Sequence, residues 1–160
     1  MLKPASLAEL KAELQTLPQE ELLAICLRLA RFKRDNKELM GFLLFEAHDM
    51  DHYTQQIKEM MTLEFANVNT SNVWFAKKTI RKILRLVSKY AKYAGSKELE
   101  AVLLIHFLEE IKQLPAHITK APILEKLMAM QEKKTRKLIE SLHEDLQYDL
   151  QRQLDAVVQH

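Results

Sequence analysis

The sequence predicts an all-α protein on three observations. Two glycines, Gly41 and Gly95, and four prolines in 160 residues leave few points at which the backbone can reverse tightly, whereas β-hairpins usually need Gly or Asn-Gly turns. Between these breakers run long stretches of Leu, Ala, Lys, Glu and Gln, all strong helix formers. Several of those stretches also open with residues that cap helices. The length suits one domain, 1–160, with a core of its own.

Taken in order, Ser6 with Glu9, Thr16 with Gln19 and Asp35 with Glu38 have capping-box spacing, in which side chain and backbone satisfy each other's orphan donors. Pro18 and Pro122 stand where a first-turn proline is tolerated. Gly95 followed by Ser96 reads as a left-handed stop and then a fresh cap. These signals place helices at about 6–16, 18–33, 36–66, 72–94, 97–114 and 122–158. The 36–66 segment is one helix or two, because Asp49 or Asp51 can each start a new one. Short connections make neighbouring helices antiparallel. The expected architecture is therefore about six helices in an irregular bundle, or a short stack of helical hairpins of the HEAT or armadillo kind.

The last segment predicts a long C-terminal helix. At ~1.5 Å per residue, 122–158 would run on the order of 55 Å, longer than the ~40 Å diameter of a compact domain of this size. Its apolar stripe, Leu124, Met128, Leu138, Leu142, Leu146, Leu150 and Val157, is interrupted by Gln131 and Thr135. The polar patch Glu132–Lys137 is where a kink is expected. A projecting arm would expose the stripe and pair with a second chain, which predicts a homodimer.

Several classes are excluded by what is missing. Cys26 is the single cysteine, so neither an intrachain disulfide nor a thiolate metal cluster can form. Within LLAICLRLARF it reads as a small buried hydrophobe. The N-terminal MLKPASLAELKAEL contains acids and no continuous apolar stretch, unlike a signal peptide. The apolar run VLLIHFL is far short of the ~20 residues that cross a bilayer. The expectation is a soluble, cytoplasmic protein with no transmembrane segment. Two isolated glycines supply neither a P-loop nor a dinucleotide fingerprint, and G-x-S-x-G and H-E-x-x-H do not occur. The single E-x-x-H, Glu140 to His143, lacks the second copy that a ferritin-like di-iron bundle needs. No catalytic residues, cofactor or metal are expected.

Charge is the most informative feature. The net charge is only +2, yet no Asp or Glu occurs between Glu64 and Glu98. Inside that zone lies KKTIRKILRLVSKYAKY, Lys77 to Tyr93, with seven positive charges. At about 100° per residue, Lys77, Lys78, Arg81, Lys82, Arg85, Lys89 and Lys92 share one arc of ~140°. Ile80, Ile83, Leu84, Leu86, Val87, Tyr90 and Ala91 fill the opposite side. Like charges at i,i+4 repel, so a face of this kind implies an anionic partner: nucleic acid, an acidic protein or a membrane surface. Trp74 falls on the same arc one turn earlier and offers a stacking contact. The competing expectation is a solvated face neutralised by the acids of segment 38–64 and by Glu98 and Glu100.

Two polar constellations complete the reading. HDMDH puts His48 and His52 at i,i+4, and a solvated surface pair is expected there. Glu46 falls in the apolar arc formed by Leu39, Leu43, Met50 and Tyr53. A carboxylate buried there needs a donor, for which Arg28 or Arg31 is available. His106 interrupts AVLLIHFL, with Glu110 one turn later. Glu46, His106 and Glu110 are thus the candidate buried polar pocket, the alternative being a structural His106–Glu110 pair. The reading is a non-catalytic interaction module presenting a basic helix face. Its rivals are a structural homo-oligomer and a small-molecule- or metal-handling protein.

Overall fold

The computed structural model describes residues 2–159, and every regular element among them is helical. Among the described residues there are nine α-helices: α1 Leu7–Leu14, α2 Gln19–Phe32, α3 Arg34–Gly41, α4 Met50–Ala66, α5 Val73–Ala94, α6 Lys97–Lys112, α7 Ala116–Thr119, α8 Pro122–Glu140 and α9 Glu144–Val158. A π-helical turn, Phe42–Glu46, follows α3. The chain divides into two compact units, residues 1–45 and 46–160.

In the first unit α2 packs against α3. Asn36 Nδ2 donates to the Leu29 carbonyl at 2.8 Å and fastens the turn between them. Ser6 caps α1 as expected, accepting from the Glu9 amide. The other two expected caps are corrected. Thr16 donates back to the Glu13 carbonyl and closes α1, while Pro18 stands before α2 with no side-chain cap. Asp35 lies inside the first turn of α3, after Lys33. No residue of α1, α2 or α3 is buried. Cys26 is accordingly exposed, which corrects its reading as a core residue.

The second unit is an all-helical bundle centred on α6, which packs against α4, α5, α8 and α9. Being covered on so many sides, α6 buries Leu99, Ala101, Leu103, Leu104, Ile105, Phe107, Leu108 and Ile111. A helix that is apolar almost all round must be enclosed in this way. Met61, Phe65, Ile80, Ile83, Val87, Leu124, Ile139 and Leu154 close on it from the surrounding helices. The Phe65 and Phe107 rings meet at 5.5 Å.

Segment 36–66 is not one helix. It breaks between the π-turn and Met50, and the Asp49 side chain caps α4 by accepting from the His52 amide. Segment 122–158 is also two helices. The patch Glu132–Lys137 remains helical because Thr135 is fully buried and its hydroxyl is satisfied by the Gln131 carbonyl. The break falls instead at Ser141–His143. There Ser141 and Gln147 bond the freed carbonyls of Leu138, Glu140 and Leu142. The long projecting arm is therefore corrected to a hairpin, in which α9 returns along α6 and α8 with Leu150 and Leu154 buried. Among the described residues no helix is long and apolar enough to cross a membrane.

Candidate anion-binding face

The cationic helix α5 is one unbroken element of 22 residues, started by Asn72, which accepts from the Phe75 amide, and ended by Gly95 in the left-handed conformation (φ 60°). It buries Ala76, Ile80, Ile83, Val87 and Ala91, so the expected apolar arc is the one that faces the bundle. The basic arc lies opposite, with Lys78, Arg81, Lys82, Arg85 and Lys92 exposed and Lys77 and Lys89 half-buried. From Lys77 to Lys92 this face runs about 22 Å along the helix.

The arc has two edges of different character. On the α4 side, Lys82 lies 3.6 Å from Glu64. Lys78 lies 5.5 Å over the ring of Trp74, which is 63% exposed and touches Phe75 edge-on. Trp74 therefore sits on the basic arc, as expected, and already carries a cation on one face. Toward α8, Lys77, Arg81 and Arg85 form a row with no acidic partner among the described residues. This row borders a groove of about 400 Å³ whose other lining residues are Leu84, Ile123, Lys126, Leu127, Met130 and Gln131. No acid lines it. Further along, Ser88 and Lys92 border a second hollow with Lys134, which Glu100 holds at 3.1 Å. Sequence reasoning found the cations but not Ile123, Leu127 and Met130, whose exposure depends on which face α8 turns to α6.

The candidate polar pocket assembles only in part. His106 Nε2 lies 3.5 Å from Glu110 Oε1. Thr62 of α4 bridges them, 3.1 Å from the ring nitrogen and 2.9 Å from the carboxylate. With the proton on Nε2, the ring donates to the hydroxyl and the hydroxyl to the carboxylate, a latch between α4 and α6. Glu109 adds a 3.8 Å contact to Nδ1. Glu46 is not part of this cluster. It ends the π-turn, half-buried, and Thr62 lies twelve residues into α4 beyond Met50, about 18 Å along the axis. The helix break also separates His48 from His52, which do not share a helical face; His52 Nε2 meets Gln56 instead. Among the described residues no group of three or more His, Cys, Asp or Glu is placed to hold a metal ion.

No family model, curated protein or solved structure matches this chain.

Proposed function

We propose that this protein is a non-catalytic helical interaction module that binds an anionic macromolecule through the basic face of α5. The observation that carries this reading is the row Lys77, Arg81 and Arg85, whose charges have no acidic neighbour among the described residues. Arranging like charges at i,i+4 costs a few tenths of a kcal/mol per pair, and an anionic partner offsets that cost. Lys78, Lys82, Lys89, Lys92 and Trp74 extend the same surface. Contacts of this kind give affinity and orientation with little sequence readout.

The test is fluorescence anisotropy of labelled DNA, RNA and poly-glutamate against the full chain at several salt concentrations. The wild type is compared with Lys77→Glu/Arg81→Glu/Arg85→Glu. Binding that falls with salt, with a log–log slope of about −3 to −5 on DNA, and that disappears in the variant supports the reading. Absence of binding to all three polyanions at low salt overturns it.

A second reading is favoured by the apolar side chains left in solvent on the first unit, among them Leu23, Leu29 and Phe32, which is 76% exposed. Patches of this kind mark interaction surfaces. Here the protein is a homo-oligomer, and the basic face is only solvated. A concentration-dependent dimer in sedimentation velocity, together with no polyanion affinity, would select it.

A further inference from the structure

We infer that the groove between α5 and α8 is a docking site for an acidic amphipathic helix of a partner protein. This rests on the proposal that the α5 face binds an anion, and it names the partner class. The groove is formed by two parallel rows of different chemistry. One is cationic: Lys77, Arg81 and Arg85, at i, i+4 and i+8 on α5, about 12 Å from end to end. The other is apolar: Ile123, Leu127 and Met130, at i, i+4 and i+7 on α8, about 10 Å long. The two helices run in the same direction, because Lys77–Arg85 of α5 lies opposite Ile123–Gln131 of α8, and Ser88–Lys92 further along lies opposite Lys134. Leu84 contributes an apolar contact from the α5 side, and Lys126 adds a fourth cation.

The rows match one kind of ligand. An α-helix repeats at i,i+4, so acids at that spacing meet the three cations in register while the adjacent apolar row covers α8. A nucleic-acid backbone would use the cations and leave Ile123 and Met130, 43% and 60% exposed, against water. A single-headed lipid would use the apolar row but needs one cation, not three spread over two turns. The apolar row also gives a reason for the exposed methionine, whose flexible thioether suits a surface that accepts a partner's side chains.

The experiment titrates the full chain with a labelled synthetic helix of about five turns. The peptide carries Glu at i, i+4 and i+8, and Leu at i+3, i+7 and i+10. Two controls are a peptide of identical composition with both rows scrambled and a single-stranded DNA of about 20 nucleotides. Each probe is measured against wild type, Met130→Glu and Arg81→Glu/Arg85→Glu. Met130 is largely exposed, so its substitution leaves the core intact. The expected result is that the patterned peptide binds roughly tenfold tighter than the scrambled one. Met130→Glu weakens it by about tenfold, and the double charge reversal abolishes binding. Equal binding of patterned and scrambled peptides, or no effect of Met130→Glu on the patterned one, overturns the docking site and leaves the anion-binding face standing. Tighter binding of DNA that is indifferent to Met130→Glu also overturns it, in favour of a nucleic acid. If no probe binds and the charge reversal changes nothing, the anion-binding reading fails with it.

Discussion

The ammonium of Lys112 on α6 donates to the carbonyl of Val158 in the last turn of α9 at 2.8 Å, and also to that of Val157. The end of a helix presents unpaired carbonyls and partial negative charge, and here a cation from the central helix satisfies both. This tie, with buried Leu150 and Leu154, holds the C-terminal helix against the bundle. Lys112→Met should cost about 1–2 kcal/mol in urea denaturation and reduce hydrogen-exchange protection in α9. Unchanged protection would show that the leucines alone hold the helix.

Gly95 ends α5 at φ 60°, ψ 29°, with its amide bonded to the Ala91 carbonyl at 2.9 Å. A Cβ there would meet no neighbour within 4 Å, so the cost of a side chain is backbone strain alone. Gly95→Ala should lose roughly 1 kcal/mol, and Gly95→Asn less, since asparagine tolerates the left-handed region. Paired thermal melts of the two variants test the ordering.

Arg136 joins α8 to α9, with Asp155 at 2.9 Å and Glu132 at 3.0 Å. Its pKa is raised above the ordinary arginine value, chiefly by the hydrogen bond to Asp155, with burial opposing. A group raised in the folded state contributes stability in full below its unfolded pKa and loses it only as pH rises through the folded value. The arginine's share should therefore stay constant from neutral to about pH 10. The side chain is 38% exposed, so water screens the pair, and Arg136→Ala should cost about 0.5–1 kcal/mol. A wild-type-minus-variant difference that changes between those pH values would contradict this account.

Arg81 repels both Lys77 and Arg85 one turn away on either side. Arg81→Gln should raise stability by about 0.5 kcal/mol while weakening polyanion binding. Opposite signs in chemical denaturation and in the anisotropy titration would identify a surface that gives up stability for a partner. Loss of stability would instead show that Arg81 supports the fold.

Much of this was legible because it depends on local chemistry. The α5 arc followed from a period of 3.6 residues, and the caps at Ser6, Asp49 and Ser96 from short-range hydrogen bonds. Gly95 followed from the left-handed conformation that glycine adopts without strain. Thr16 and Asp35 misled because capping-box spacing does not say which of several neighbouring polar residues the backbone uses. Thr135 reads as a break in the apolar stripe because its hydroxyl is polar, yet that hydroxyl is satisfied inside the core by the Gln131 carbonyl.

The sequence by itself determined the all-helical class and the amphipathic division of α5, since each is a matter of composition and of period along one helix. Only the tertiary structure decided that His106 and Glu110 meet Thr62 rather than Glu46, that the last segment folds back, and that a partly exposed apolar row on α8 stands beside the cationic row on α5. Those outcomes depend on which faces of separate helices are turned toward each other. That is set by packing over the whole bundle, which no single stretch of sequence encodes.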